Sequence, residues 1–124
     1  MNLLYVFMGG GLGAVSRVAL TSMAPSGDKK YLYTMIVNIL GSFFIGLAIG
    51  LFETIGVGRQ WRDMAVAGFL GGFTTFSTFA FDIVDMMQRG LWGRVMFYVV
   101  MTVGVSLMAC AVGMWLVKIV MPTR

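Results

Sequence analysis

The residues able to do chemistry are concentrated in a few places. From Gly68 to Phe79 the chain reads GFLGGFTTFSTF, with hydroxyls at Thr74, Thr75, Ser77 and Thr78. Phe73, Phe76 and Phe79 recur every third residue, a spacing that puts three rings on one helical face. Asn38, in VNILGS, offers two donors and one acceptor. Arg17 closes the stretch GAVSR, and Tyr98, Thr102 and Ser106 repeat every fourth residue as one polar stripe. Histidine is absent, and the single cysteine, Cys110, lies in an apolar run as a small packing residue. The set points away from catalysis and toward holding ions. Amide and hydroxyl donors suit an anion, as do the positive edges of aromatic rings, whereas carbonyl oxygens freed by an interrupted helix suit a cation.

These groups have to be placed by membrane helices. Of 124 residues, 59% are hydrophobic and 11% charged, with mean hydropathy +0.90, more apolar surface than a soluble domain of this size can hide. At roughly 20 apolar residues per crossing, four spans are predicted in a single membrane domain over residues 1–124: 3–23, 31–52, 64–87 and 92–116. The first is read as an uncleaved span. Trp61, Trp92 and Trp115 fall near span ends, where indole rings prefer the interface. The hydroxyl-rich segment then lies inside the third span. Non-helical backbone survives at that depth only when buried in protein or lining a cavity, and the adjacent Gly71 and Gly72 predict that the helix is interrupted there.

Orientation follows lysine and arginine. Lys29, Lys30, Arg89 and Arg94 lie on one face, and Arg59, Arg62, Lys118 and Arg124 on the other. This balance predicts insertion in both directions. Four helices are also few to enclose a polar route, so an antiparallel homodimer is expected; small residues at Gly9/Gly13, Gly46/Gly50, Gly68/Gly72 and Ala109/Gly113 supply faces for close helix packing. Asp28, Glu53, Asp63, Asp82 and Asp85 are all read as lying in connections or near span ends. The formal charge of +4 sits in short connections, as membrane topology requires and nucleic-acid binding does not. A proton-coupled exporter of cations resembling the small multidrug-resistance transporters would depend on an acid in the first span, where this chain has only Arg17. A non-transporting subunit would need only the packing faces.

Over essentially its whole length the chain resembles the Fluc (CrcB) family of fluoride channels. GGGLGAVSR, VNILGS and GFLGGFTTFSTF carry the resemblance, the last being the most specific. It implies an all-α, dual-topology homodimer in the bacterial inner membrane, with two pores that pass fluoride passively out of the cytoplasm and no enzymatic activity. By the same resemblance Phe76 and Phe79 would contact fluoride edge-on, and Asn38 would line the pore. Ser77, Thr78 and Tyr98 would form a polar track, and Arg17 would stand in the vestibule. The carbonyls of Gly71 and Thr74 would hold a structural Na+ between the subunits.

Overall fold

The computed structural model describes residues 2–122, and among them the fold is all helical. Helix α1 (Leu3–Ser22) starts at Asn2, whose side chain accepts from the Leu4 amide at 3.2 Å. A turn containing Pro25 and Gly27 leads to α2 (Lys30–Ile55), which ends where Gly56 adopts φ +68°, a left-handed stop that glycine takes without penalty. At 26 residues, α2 is about 39 Å long, so its ends reach past the hydrocarbon. The third crossing has two parts. The first, α3, covers residues 59–73: an α-helical turn (Arg59–Arg62), a π-helical stretch (Asp63–Leu70) and a last α-helical turn (Gly71–Phe73). The second is α4 (Phe76–Gln88). A turn with Gly90 at φ +72° leads to α5 (Trp92–Val120). Four crossings, 3–22, 30–55, 59–88 and 92–120, are long and apolar enough to span a bilayer. The protein is therefore a multi-pass membrane protein.

Chain neighbours are not the main packing partners. Helix α1 lies along α3, and α2 lies along α5. Both contacts bring backbones together over glycine. A Cβ at Gly9 or Gly13 would strike the carbonyl of Met64 or Phe69, and one at Gly72 would meet the Gly10 carbonyl at 2.5 Å. Gly46 is closed by the Cys110 carbonyl, and Gly113 faces the Phe43 carbonyl at 2.5 Å. Most of the expected small-residue faces are thus used within one protomer.

The crossing is interrupted, but not at the glycines. Gly71 and Gly72 are helical, and the chain leaves the helix at Thr74 (φ −83°, ψ 156°) and Thr75 (φ −148°, ψ 118°). The break also splits the phenylalanine stripe. Phe73 stays on α3, buried and stacked on Phe69 (6.0 Å between centroids, 8° between planes), while Phe76 and Phe79 belong to α4.

Asp28 ties the first and third connections together. Its two carboxylate oxygens accept from Nη1 of Arg89 and Nη1 of Arg94, each at 2.6 Å, and the Arg94 guanidinium lies 5.3 Å from the Tyr31 ring centroid. At the other end, the Asp63 carboxylate accepts from the Asn2 amide at 3.1 Å. Arg124 lies outside the described residues. Hydrogen bonds from Arg89 and then Arg94 pull the Asp28 carboxyl down from 3.8 to about 2. A depressed carboxylate stabilises the fold above its unfolded pKa and loses that contribution as pH falls through its folded value. The clasp should therefore hold at pH 4 and open on approach to pH 2. In detergent, the small difference in melting temperature between wild type and Asp28→Asn is expected to vanish over that interval. Because the pair is exposed, the difference is small even at neutral pH.

Candidate functional site at the helix break

Side chains competing with the backbone make the break. The Thr74 hydroxyl donates to the Leu70 carbonyl at 3.0 Å, the same oxygen that its own amide reaches at 3.1 Å. Thr75, in extended conformation, is the N-cap of α4, and its hydroxyl oxygen accepts from the Thr78 amide at 3.2 Å. Its Oγ1 also lies 3.3 Å from Ser77 Oγ and donates to Thr78 Oγ1 at 3.2 Å. Such local bonds draw threonine out of helix interiors and favour it at caps.

That leaves Thr75's own N–H and C=O, buried and without a helical partner. Asn38 meets both. Its Oδ1 accepts from the Thr75 amide at 2.8 Å, and its Nδ2 donates to the Thr75 carbonyl at 3.0 Å. A side-chain amide carries one donor and one acceptor edge side by side, so it pairs with a residue's backbone as a neighbouring strand would. Gly41, one turn along α2, gives the room: its missing Cβ is occupied by the Thr74 methyl.

Arg17 reaches the same place from α1. Its Nε donates to the Gly72 carbonyl at 3.1 Å in a partly buried contact. Leu70 and Gly72 oxygens are thereby engaged, whereas no donor among the described residues reaches the carbonyl oxygens of Gly71 or Thr74.

A cavity of about 360 Å³ opens beside the break. Asn38, Thr75, Phe76, Phe79, Thr102 and Ser106 contribute to its wall, which is otherwise largely apolar. Thr102 Oγ1 and Ser106 Oγ are buried with no hydrogen-bond partner among the described residues, so this wall presents unused hydroxyls. Phe79 is 6% exposed and Phe76 79% exposed, with centroids 5.8 Å apart and planes at 55°. The α4 N-terminus, the positive end of its dipole, begins at this wall.

The structure brings Asn38, Phe76 and Phe79 together on the cavity, with Gly71 and Thr74 at its edge. Tyr98 stands behind Phe79, fully buried, with the two rings 4.9 Å apart. Ser77 and Thr78 join the Thr75 hydroxyl cluster and do not line the cavity of the single chain. Sequence reasoning missed Thr75 as the centre of the break, and it missed Asp82. Set with the span-end carboxylates by sequence, Asp82 does lie toward the end of the third crossing, but it is partly buried there and its Oδ2 accepts from the Tyr98 hydroxyl at 2.8 Å. The signal was its position three residues after Phe79, on the same helical face.

A four-span membrane protein with a largely apolar cavity, edged by an amide and a few hydroxyls beside a stitched helix break, belongs among small transport proteins rather than enzymes. Residues 4–114 match the family model described as "CrcB-like protein, Camphor Resistance (CrcB)". The chain is 40% identical over 121 residues, 93% of both chains, to a protein of Francisella philomiragia named fluoride-specific ion channel FluC. A protein of Francisella tularensis subsp. mediasiatica with the same name is 42% identical over 121 residues, again 93% of both chains. One from Serratia proteamaculans, also so named, is 44% identical over 91 residues, 72% of both. The chain belongs to the CrcB family, whose bacterial members reside in the inner membrane.

Replacing Asn38 by Leu would strand both Thr75 backbone groups, at a cost on the order of 1–3 kcal/mol for each unsatisfied group. A clearly lowered melting temperature in detergent is expected. An unchanged one would mean that the bracket does not hold the break.

Proposed function

We propose that the chain is a passive fluoride channel that lets the anion leave the cytoplasm down its electrochemical gradient, working as an antiparallel homodimer with two pores. The observation that carries this reading is the single cavity shared by the Phe76 and Phe79 rings, Asn38 and the unpartnered hydroxyls of Thr102 and Ser106. Fluoride itself comes from the names of the relatives.

The roles follow from the chemistry. A small, hard anion leaving water needs donors, yet a fixed positive charge on the path would hold it too long for fast passage. Asn38 spends one N–H on Thr75 and keeps the other for the cavity. The Thr102 and Ser106 hydroxyls are free to turn toward an ion, and the ring edges of Phe76 and Phe79 offer weak positive potential. Tyr98 extends the polar route through its hydroxyl, and Ser77 and Thr78 would join it where a second copy covers them. Phe76 is exposed in the single chain, as a residue completed by a partner subunit would be. The even division of lysine and arginine between the two faces supports opposite insertion of the two copies.

Sodium suits the same break. It is a hard cation that takes oxygen ligands, and the carbonyls of Gly71 and Thr74 receive no donor from the described residues. Those two oxygens from each subunit would hold it, and bound there it would supply positive charge at the carbonyl end of α3.

Liposomes containing only this polypeptide are expected to release fluoride electrogenically and to retain chloride; fluoride-tight vesicles holding folded dimer would overturn the reading. Phe76→Ile removes a ring that the protomer's own packing does not use. It should cut fluoride flux at least about tenfold, the loss of roughly one good contact, with dimer yield unchanged. Undiminished flux would remove the ring from the path.

A further inference from the structure

We infer that Arg17 is a positioning residue, the clamp that holds the carbonyl end of α3 at the break, rather than only a positive charge set out to attract anions. Gly13, one turn before it, packs against the Phe69 carbonyl, so the α1 backbone is already pressed onto α3 where the helix is about to stop. From there the Arg17 Nε donates to the Gly72 carbonyl at 3.1 Å. Gly72 would ordinarily accept from the amide four residues on, at Phe76, but the extended residues Thr74 and Thr75 carry that amide into α4. Its oxygen is one of the orphans that every helix end leaves. Arg17 fills the vacancy with a donor that also bears the charge favoured at a helix C-terminus. By taking Gly72 and leaving Gly71 and Thr74 open, the clamp selects which carbonyls of the break stay available.

The planar guanidinium explains arginine at this position. Nε is fixed on the side-chain stem and engages the carbonyl, while both Nη groups make no hydrogen bond among the described residues and extend beyond it. Lysine has the charge but not this divided geometry.

Only the flux arm of the test depends on the channel reading, and wild-type flux checks that reading separately. Arg17→Lys keeps the charge. As a clamp variant it should lose fluoride flux about tenfold, equivalent to one hydrogen bond, and equally in low and high concentrations of inert salt. Amide exchange at Thr74, Thr75 and Thr78 in the folded dimer should rise by a similar factor. Flux within about twofold of wild type, or a loss that salt abolishes, would overturn the inference, as would unchanged exchange. A third measurement needs no variant. The sequence has six arginines, and Arg89 and Arg94 make their ion pairs through Nη1. Wild-type protein labelled with 15N-arginine should therefore show one Nε–H slowed in exchange with water. Rapid exchange at all six would overturn the inference even if every Arg17 variant failed to fold.

Discussion

The fold turns on a two-point contact between one side chain and one residue's backbone. Lipid supplies no hydrogen bonds, so a helix interrupted at membrane depth must find partners for each group it frees. Thr75 is where both an N–H and a C=O come loose at once, and Asn38 returns both within 3.0 Å. Around this point the other groups are taken up in turn: Leu70 by Thr74, Gly72 by Arg17, Thr78 by the Thr75 cap. The break is stitched on two sides by α1 and α2. The few oxygens left over, those of Gly71 and Thr74 among them, are then available for an ion.

A second layer of contacts runs away from the break along α4. Phe79 packs on Tyr98, Tyr98 meets Tyr31 edge-on at 5.4 Å, and its hydroxyl is held by Asp82. Phe79 and Tyr98 are among the most buried side chains in the protomer, together with Met86 and Val95. The ring facing the cavity is thus braced from behind by the main apolar cluster, while Phe76, one turn earlier, has almost no support from its own chain. Two rings alike in sequence differ in how firmly they are held.

Much of this was legible in the sequence, and the limits have physical causes. Four apolar runs bounded by charge and tryptophan fix the four crossings, because the length needed to span lipid leaves little freedom. Glycines at helical spacing announced backbone contact at Gly9, Gly13, Gly46 and Gly113. The interruption was foreseen but attached to the glycines, since glycine is the weak helix former. In fact Gly71 and Gly72 are both helical, Gly72 pressed against the α1 backbone, and adjacent threonines with competing hydroxyls do the breaking. The Phe73–Phe76–Phe79 stripe failed for the same reason, because periodicity does not carry across a break. The bond between Asp82 and Tyr98 was missed because distance from a span end says nothing about a partner on another helix. Pairing of Asn38 with Thr75 spans 37 positions and could not be read from local pattern.

The exchange of packing partners has a consequence for how the protein is made. Because α1 lies on α3 and α2 on α5, the first two helices leave the ribosome with little to offer each other. The surfaces that each will bury belong to segments not yet translated. For that interval the nascent hairpin is held mainly by lipid, since α1 and α2 touch only sparsely even in the finished fold. Tertiary structure begins only when the third segment arrives and gives α1 its counterpart, and it is complete only when the last helix closes over α2.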